Sequence, residues 1–200
     1  MTISLERTER IEMAEPGKKS TLDYLFERLE QMPVPEGYKV EIVEGTVYMT
    51  PQRDIHWQTI RVITRALDDQ FGLNSKVFSD VRIDFPAEDD DNAFCPDVAK
   101  LVDGAKKENG RWRYQDVEFV AEIISKGTGT NDYGPKKTAY ATAEVPLYIV
   151  ADPYLGRCRV FTNPKDGEYE GDITVPYGEP IDLTDTVLGM TLQTEDFPRD

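Results

Sequence analysis

Apolar positions recur along this chain with two periods, near 3.6 and near 2, and the switches between them outline its elements. Leu22, Leu25, Phe26 and Leu29 fall at helical spacing after Thr21, a residue type that caps helices, and Pro33 and Pro35 bound the run. Val40 and Ile42, then Val47 and Met49, alternate on either side of Glu44-Gly45, which predicts two short strands joined by a turn, with Pro51 stopping the second. Asp54 is expected to cap a helix reaching about Phe71, with Ile60, Ile63, Leu67 and Phe71 as its apolar stripe and Gly72 and Asn74 at its end. Alternation over 76–85 predicts one strand, 96–101 the next, and 117–124 the most apolar and therefore central one. After a turn at 127–130, a helix starting at Asn131 or Asp132 and running to about Ala143 tolerates Pro135 in its first turn. A strand at 146–150 closes on Asp152-Pro153, and 157–162 with 169–175 reads as a hairpin, followed by a strand-like tail over 178–200. This order predicts a mixed α/β (α+β) fold, a sheet flanked by helices behind an N-terminal helix and β-hairpin. Residues 1–20 are polar and aperiodic and are expected to form a flexible tail, leaving 21–200 as one domain.

Composition narrows the class. Hydrophobic content of 39% over 200 residues supports one sizeable core. No apolar run is long enough for a transmembrane helix, and no apolar signal segment opens the chain, so no membrane role and a cytoplasmic location are expected. Cys95 and Cys158 are too few for a disulfide framework. The net charge of -15 opposes nucleic-acid binding, which draws affinity from phosphate neutralisation. That charge is uneven, however: residues 97–137 hold eight Lys/Arg against seven Asp/Glu.

The candidate chemistry lies in that least acidic stretch. Asp97 follows Pro96 at the start of one apolar run, and Glu122 sits inside the next. An ionised carboxylate in such a run is costly unless it is paired, hydrogen-bonded or bound to a metal. Two of them on neighbouring strands suit a hard divalent cation such as Mg²⁺ or Mn²⁺, which takes oxygen ligands. A lysine that steadies developing negative charge would complete such a site, and Lys126, Lys136 and Lys137 are the candidates. Glu41 and Glu44 are acids of the early hairpin that could join it. His56 is the only histidine and lies in the first turn of a predicted helix, where the dipole keeps an imidazole neutral and able to act as base or phosphate contact. The loop holding Lys106, Lys107, Arg111, Trp112, Arg113 and Tyr114 mixes cations with aromatics, as backbone contact and base stacking require. The acidic stretch 88–91 fits no calcium-loop spacing, and 127–130 lacks the ending of a nucleotide-binding loop.

These segments resemble, in order, the Uma-type family of restriction endonucleases within the PD-(D/E)XK nuclease superfamily. The residues that carry the resemblance are Glu41 to Gly45 with Tyr48 to Pro51, His56, Cys95-Pro96-Asp97-Val98, Glu122 to Ser125, Asp132, Lys136 and Tyr140, and Val145 to Pro153. The resemblance implies a restriction-endonuclease-like mixed sheet flanked by helices, a Mg²⁺-type site at Asp97 and Glu122, and cleavage of DNA phosphodiester bonds. It implies an assisting role for Glu44, a family position for His56, and Lys136 in place of the usual lysine two residues after the glutamate, where Ile124 stands. With no separate recognition module, sequence specificity would call for a homodimer or a partner. The displaced lysine and the net charge leave open the alternative of a nuclease-fold protein that binds or regulates without cleaving.

Overall fold

The computed structural model describes residues 2–3, 21–31, 38–86, 92–127 and 129–200. Thirteen strands and four helices are found among them: β1 Thr2–Ile3, α1 Thr21–Glu30, β2 Tyr38–Val43, β3 Thr46–Pro51, α2 Asp54–Phe71, β4 Val77–Phe78, β5 Ile83–Phe85, β6 Asn92–Phe94, β7 Val98–Leu101, β8 Val117–Ile123, α3 Gly129–Tyr133, α4 Pro135–Thr142, β9 Leu147–Asp152, β10 Arg157–Lys165, β11 Glu168–Pro176, β12 Ile181–Leu183 and β13 Met190–Leu192. Three sheets result. The first runs β1-β3-β2-β6-β5, antiparallel throughout. The second runs β11-β10-β9-β8-β7-β4 and is mixed, with β8 and β9 parallel. The third is the β12–β13 ribbon.

Alternation of side chains along the strands builds the layers. Val98, Phe119, Ala121, Leu147 and Ile149 face Ile60, Ile63 and Leu67 of α2, together with Ile181, Leu183 and Leu192 of the ribbon. The opposite face of that sheet, through Val120, Tyr148, Val150 and Phe161, meets Val43, Ile83, Phe85 and Phe94 of the first sheet and Ala139 and Tyr140 of α4. Leu22 of α1 covers the far side of the first sheet with Ile42, Val47 and Ala93. Each fully buried side chain of this kind contributes about 1.5–3 kcal/mol. The expected mixed α+β architecture with a central mixed sheet is the observed one, and β8 lies inside the six-stranded sheet as its apolar sequence requires.

Four local expectations change. The alternation over 76–85 is not one strand: β4 joins the six-stranded sheet and β5 the five-stranded one, with Asp80 at φ 55° between them. The helix expected from 131 to 143 is two pieces, because the residue before a proline avoids the helical region, and Gly134 takes φ -118° and ψ -105° ahead of Pro135. Arg53, not Asp54, is the N-cap of α2; Asp54 is the first helical residue, and its carboxylate accepts the Ile55 amide at 2.9 Å. Of the segment expected to be a flexible tail, Thr2–Ile3 pair with β3, and residues 4–20 lie outside the described residues, as does the acidic stretch 88–91.

Candidate active site

Strand register brings the two carboxylates together. Val98 pairs antiparallel with Ala121, so the residue before β7, Asp97, lands across from Glu122. Glu122 shares the parity of Val120 and points between the two sheets, whereas Ala121 and Ile123 point to α2. The Asp97 amide lies 3.4 Å from Glu122 Oε2, and Asp97 Oδ2 accepts the Ile123 amide at 2.7 Å.

The first sheet adds two groups from β2. Lys39, Glu41 and Val43 share one face of that strand, the face turned toward the second sheet. Glu41 Oε1 accepts the Cys95 amide at 2.9 Å. Lys39 Nζ donates to Asp97 Oδ1 at 2.7 Å and lies 3.5 Å from Glu122 and 3.7 Å from Glu41. The helical pieces add three more. Asp132, Lys136 and Tyr140 are four residues apart in sequence and converge on the same point. Lys136 Nζ stands 2.9 Å from Glu41, 3.1 Å from Glu122 and 3.2 Å from Asp132. Tyr140 donates its hydroxyl to Glu122 Oε1 at 2.7 Å. Edge-on contacts with Phe85 and Phe94 fix the tyrosine ring, with centroids at 4.9 and 5.5 Å.

Four buried carboxylates therefore surround two buried ammoniums. Burial opposes the charge on both lysines, but the acids around them overcome it and hold both above the ordinary lysine value. Burial likewise opposes ionisation of Glu122, yet Lys136 and Lys39, with the Tyr140 hydroxyl, outweigh it and bring its carboxyl down to about 2. Burial pushes Asp97 above the usual carboxylate range against the pull of Lys39, with Glu122 adding to the rise. Asp132 is pushed up to about 7, again by burial. An acid whose folded pKa exceeds its unfolded value binds more protons when folded, so its contribution to stability falls as pH rises. Asp132→Asn is accordingly expected to flatten the decline in stability between pH about 4 and about 7, read from urea midpoints across that range.

The cleft above these groups is lined by Thr50, Pro51, Gln52, His56, Ile123 and Ser125 as well, and encloses about 20 Å³, room for about one water. His56 is buried, with Nε2 3.1 Å from the Ile124 carbonyl and 3.3 Å from Ser125 Oγ, which pins the start of α2 to the end of β8. Glu44 is not part of the cleft. It is exposed in the β2–β3 turn, where it and Gly45 adopt φ 47° and 72°, the paired positive values of a type I′ hairpin. Glu41, three residues earlier and within β2, supplies the hairpin's acid instead. Asn suits that turn better than Glu, so Glu44→Asn is expected to raise stability by about 0.5 kcal/mol in chemical denaturation and to leave function untouched. Lys126 is exposed, and Lys137 pairs with Glu168 at 2.9 Å, so of the three candidate lysines Lys136 is the one in the cluster. The 103–115 loop lies elsewhere: Trp112 stacks on Phe78 at 5.0 Å with Lys76 and Lys107 over its ring.

Lys39 and Asp132 carry no sequence signal as strong as that of Glu122. Lys39 shares parity with Glu41, and Asp132 lies four residues before Lys136, but both patterns also describe solvated faces. Among the described residues no three of the His, Cys, Asp and Glu side chains stand as an open metal cage, and the two ammoniums lie between the carboxylates.

Comparison with known proteins gives a family and a fold. The model of the Uma2 family, described as "Putative restriction endonuclease", matches residues 26–195. Among solved structures, a "putative nuclease belonging to DUF820" from Anabaena variabilis superposes with a TM-score of 0.64 at 14% identity, over 90% of this chain and 97% of that one. No curated protein matches the chain. No described helix is long and apolar enough to cross a membrane.

Proposed function

This chain belongs to the Uma2 family, and from that premise and the acid–lysine cluster we propose that it is a metal-dependent endonuclease that hydrolyses DNA phosphodiester bonds. The observation that carries the proposal is the convergence of Asp97, Glu122 and Lys136, from three separate elements, on one cleft. The donor set suits a hard cation: carboxylate oxygens without a thiolate, close enough that Asp97 and Glu122 already share a bound ammonium. Asp97 and Glu122 would hold Mg²⁺ or Mn²⁺, which supplies Lewis-acid polarisation of the phosphoryl group and acidifies a bound water. Glu41 and Asp132 fix the Lys136 ammonium beside Glu122, where it orients the attacking water and offsets the charge that gathers on the phosphoryl oxygens. Tyr140 keeps one oxygen of Glu122 oriented. His56 has Nε2 committed to the Ile124 carbonyl, so it positions the cleft wall, and any contact with phosphate is through Nδ1.

The test is calorimetric titration with Mn²⁺ alongside digestion of supercoiled, linear duplex and single-stranded DNA. Binding that vanishes in Asp97→Asn, with metal-dependent nicking by the native protein, is expected. Failure of the native protein to bind either ion would remove the enzyme reading. A binding protein without turnover is the second reading, favoured by the closeness of the cleft around its own lysines; DNA retention without nicking would establish it.

A further inference from the structure

Lys136 already touches three of the four carboxylates in the cleft. Lys39 is a second buried lysine, its side chain 9% exposed, and among the described residues it is the cation paired with Asp97. Burying an ammonium on a strand interior is costly unless its charge is needed there. What Lys39 faces is the same pair of acids proposed to hold the divalent ion, with Glu41 behind them. An ion taken up by Asp97 and Glu122 claims the oxygens that the Lys39 ammonium now holds, and two cations this close repel.

We propose that Lys39 is an internal stand-in for the divalent cation: its ammonium holds Asp97 and Glu122 together in the metal-free protein and is displaced from Asp97 when the ion binds. The inference rests on the metal reading above. It makes the cleft stable without metal, since the acids are never left unpaired in the fold. It also weakens metal affinity, because only molecules with the ammonium displaced can accept the ion, and apparent affinity falls by the fraction that is competent. With fewer than about one molecule in ten in that state, the cost is about tenfold or more.

The experiment compares Mn²⁺ binding by calorimetry in the native protein, Lys39→Met and Asp97→Asn, with melting curves in parallel. Lys39→Met is expected to bind Mn²⁺ at least about tenfold more tightly than the native protein. It is also expected to melt lower without metal and to gain more from it; a variant that folds only with Mn²⁺ supports the proposal equally. Unchanged or weaker affinity in Lys39→Met overturns it. If native binding does not depend on Asp97, the metal reading itself falls; if it does and Lys39→Met is no tighter, only the role of Lys39 falls. A second measurement needs no variant. The lysine ammonium resonances of the native protein, followed by NMR during a Mg²⁺ titration, should show the Lys39 signal lose its protection from water as the ion binds. A Lys39 signal unchanged at saturating Mg²⁺ overturns the proposal.

Discussion

Glu122→Gln is expected to lower the rate of the proposed metal-dependent DNA cleavage by about 10³-fold while leaving the protein folded. The substitution keeps the volume of the side chain and an oxygen able to accept the Tyr140 hydroxyl, but removes the charge that both lysines face. Lys136 retains Glu41 and Asp132, so its ammonium is not stranded. Lewis-acid stabilisation by a bound ion contributes several kcal/mol to such a transition state, and each 1.36 kcal/mol is about a factor of ten in rate. Because the carboxyl of Glu122 titrates at about 2, it is ionised throughout the neutral range. Its loss therefore acts at every pH where cleavage is assayed, not only at the acid end. Initial rates on supercoiled plasmid, with circular dichroism melts of both proteins, check the prediction; a variant that cleaves within tenfold of the native protein means the ion is held elsewhere.

Lys136→Met is expected to produce the largest loss of stability of any single change in the cleft. Methionine fills much of the same volume beside the Phe94 ring, so packing is nearly kept. What disappears is the common partner of Glu41, Glu122 and Asp132, three buried carboxylates within about the length of one hydrogen bond of the ammonium. Removing one partner of a buried ion pair costs about 3–5 kcal/mol, which for a chain of this size is a fall in melting temperature of about 6–20 °C. The sign of the pH dependence follows from linkage. The folded pKa of Lys136 is raised, so its own titration adds no pH dependence below the unfolded lysine value, and any change between pH 5 and 8 comes from the acids it partners. Without it the acids ionise against one another, and the deficit should grow as pH rises from 5 to 8. Adding Asp132→Asn to Lys136→Met should recover part of the loss, since neighbours that share a partner are not additive. Thermal melts at pH 5 and pH 8 decide the matter: equal deficits at both would show that the three acids do not depend on this lysine.

Glu122 was legible because an acid inside Phe119–Ile124 contradicts its surroundings, and strand parity then gives its direction. Asp97 was legible for the same reason, with Pro96 marking where the strand begins. Lys136 came from a resemblance in order and spacing, since a lysine four residues after an aspartate on a helix ordinarily faces water. Lys39 had no such signal. A strand reading Lys-Val-Glu-Ile-Val looks like an amphipathic edge with its charges outward, and only the docking of the second sheet over that face turns the charges inward. Glu44 attracted attention by its place before Gly45, but the turn geometry that makes the pair conspicuous also puts Glu44 in solvent. The alternation from Lys76 to Phe85 concealed a change of sheet because parity continues across Asp80, and period alone carries no record of which partner a strand chooses.

That change of sheet has a kinetic consequence. Lys39 and Glu122 are 83 residues apart, and Glu41 and Lys136 are 95 apart, so the cleft closes only after the two sheets have found each other. Long loops are closed late, because their entropy is spent before any contact returns it. Until then each acid remains hydrated and each half of the cleft behaves as ordinary charged surface. Assembly of the site and completion of the fold are then one event, and a partly folded chain holds neither a bound ion nor a buried charge in want of one.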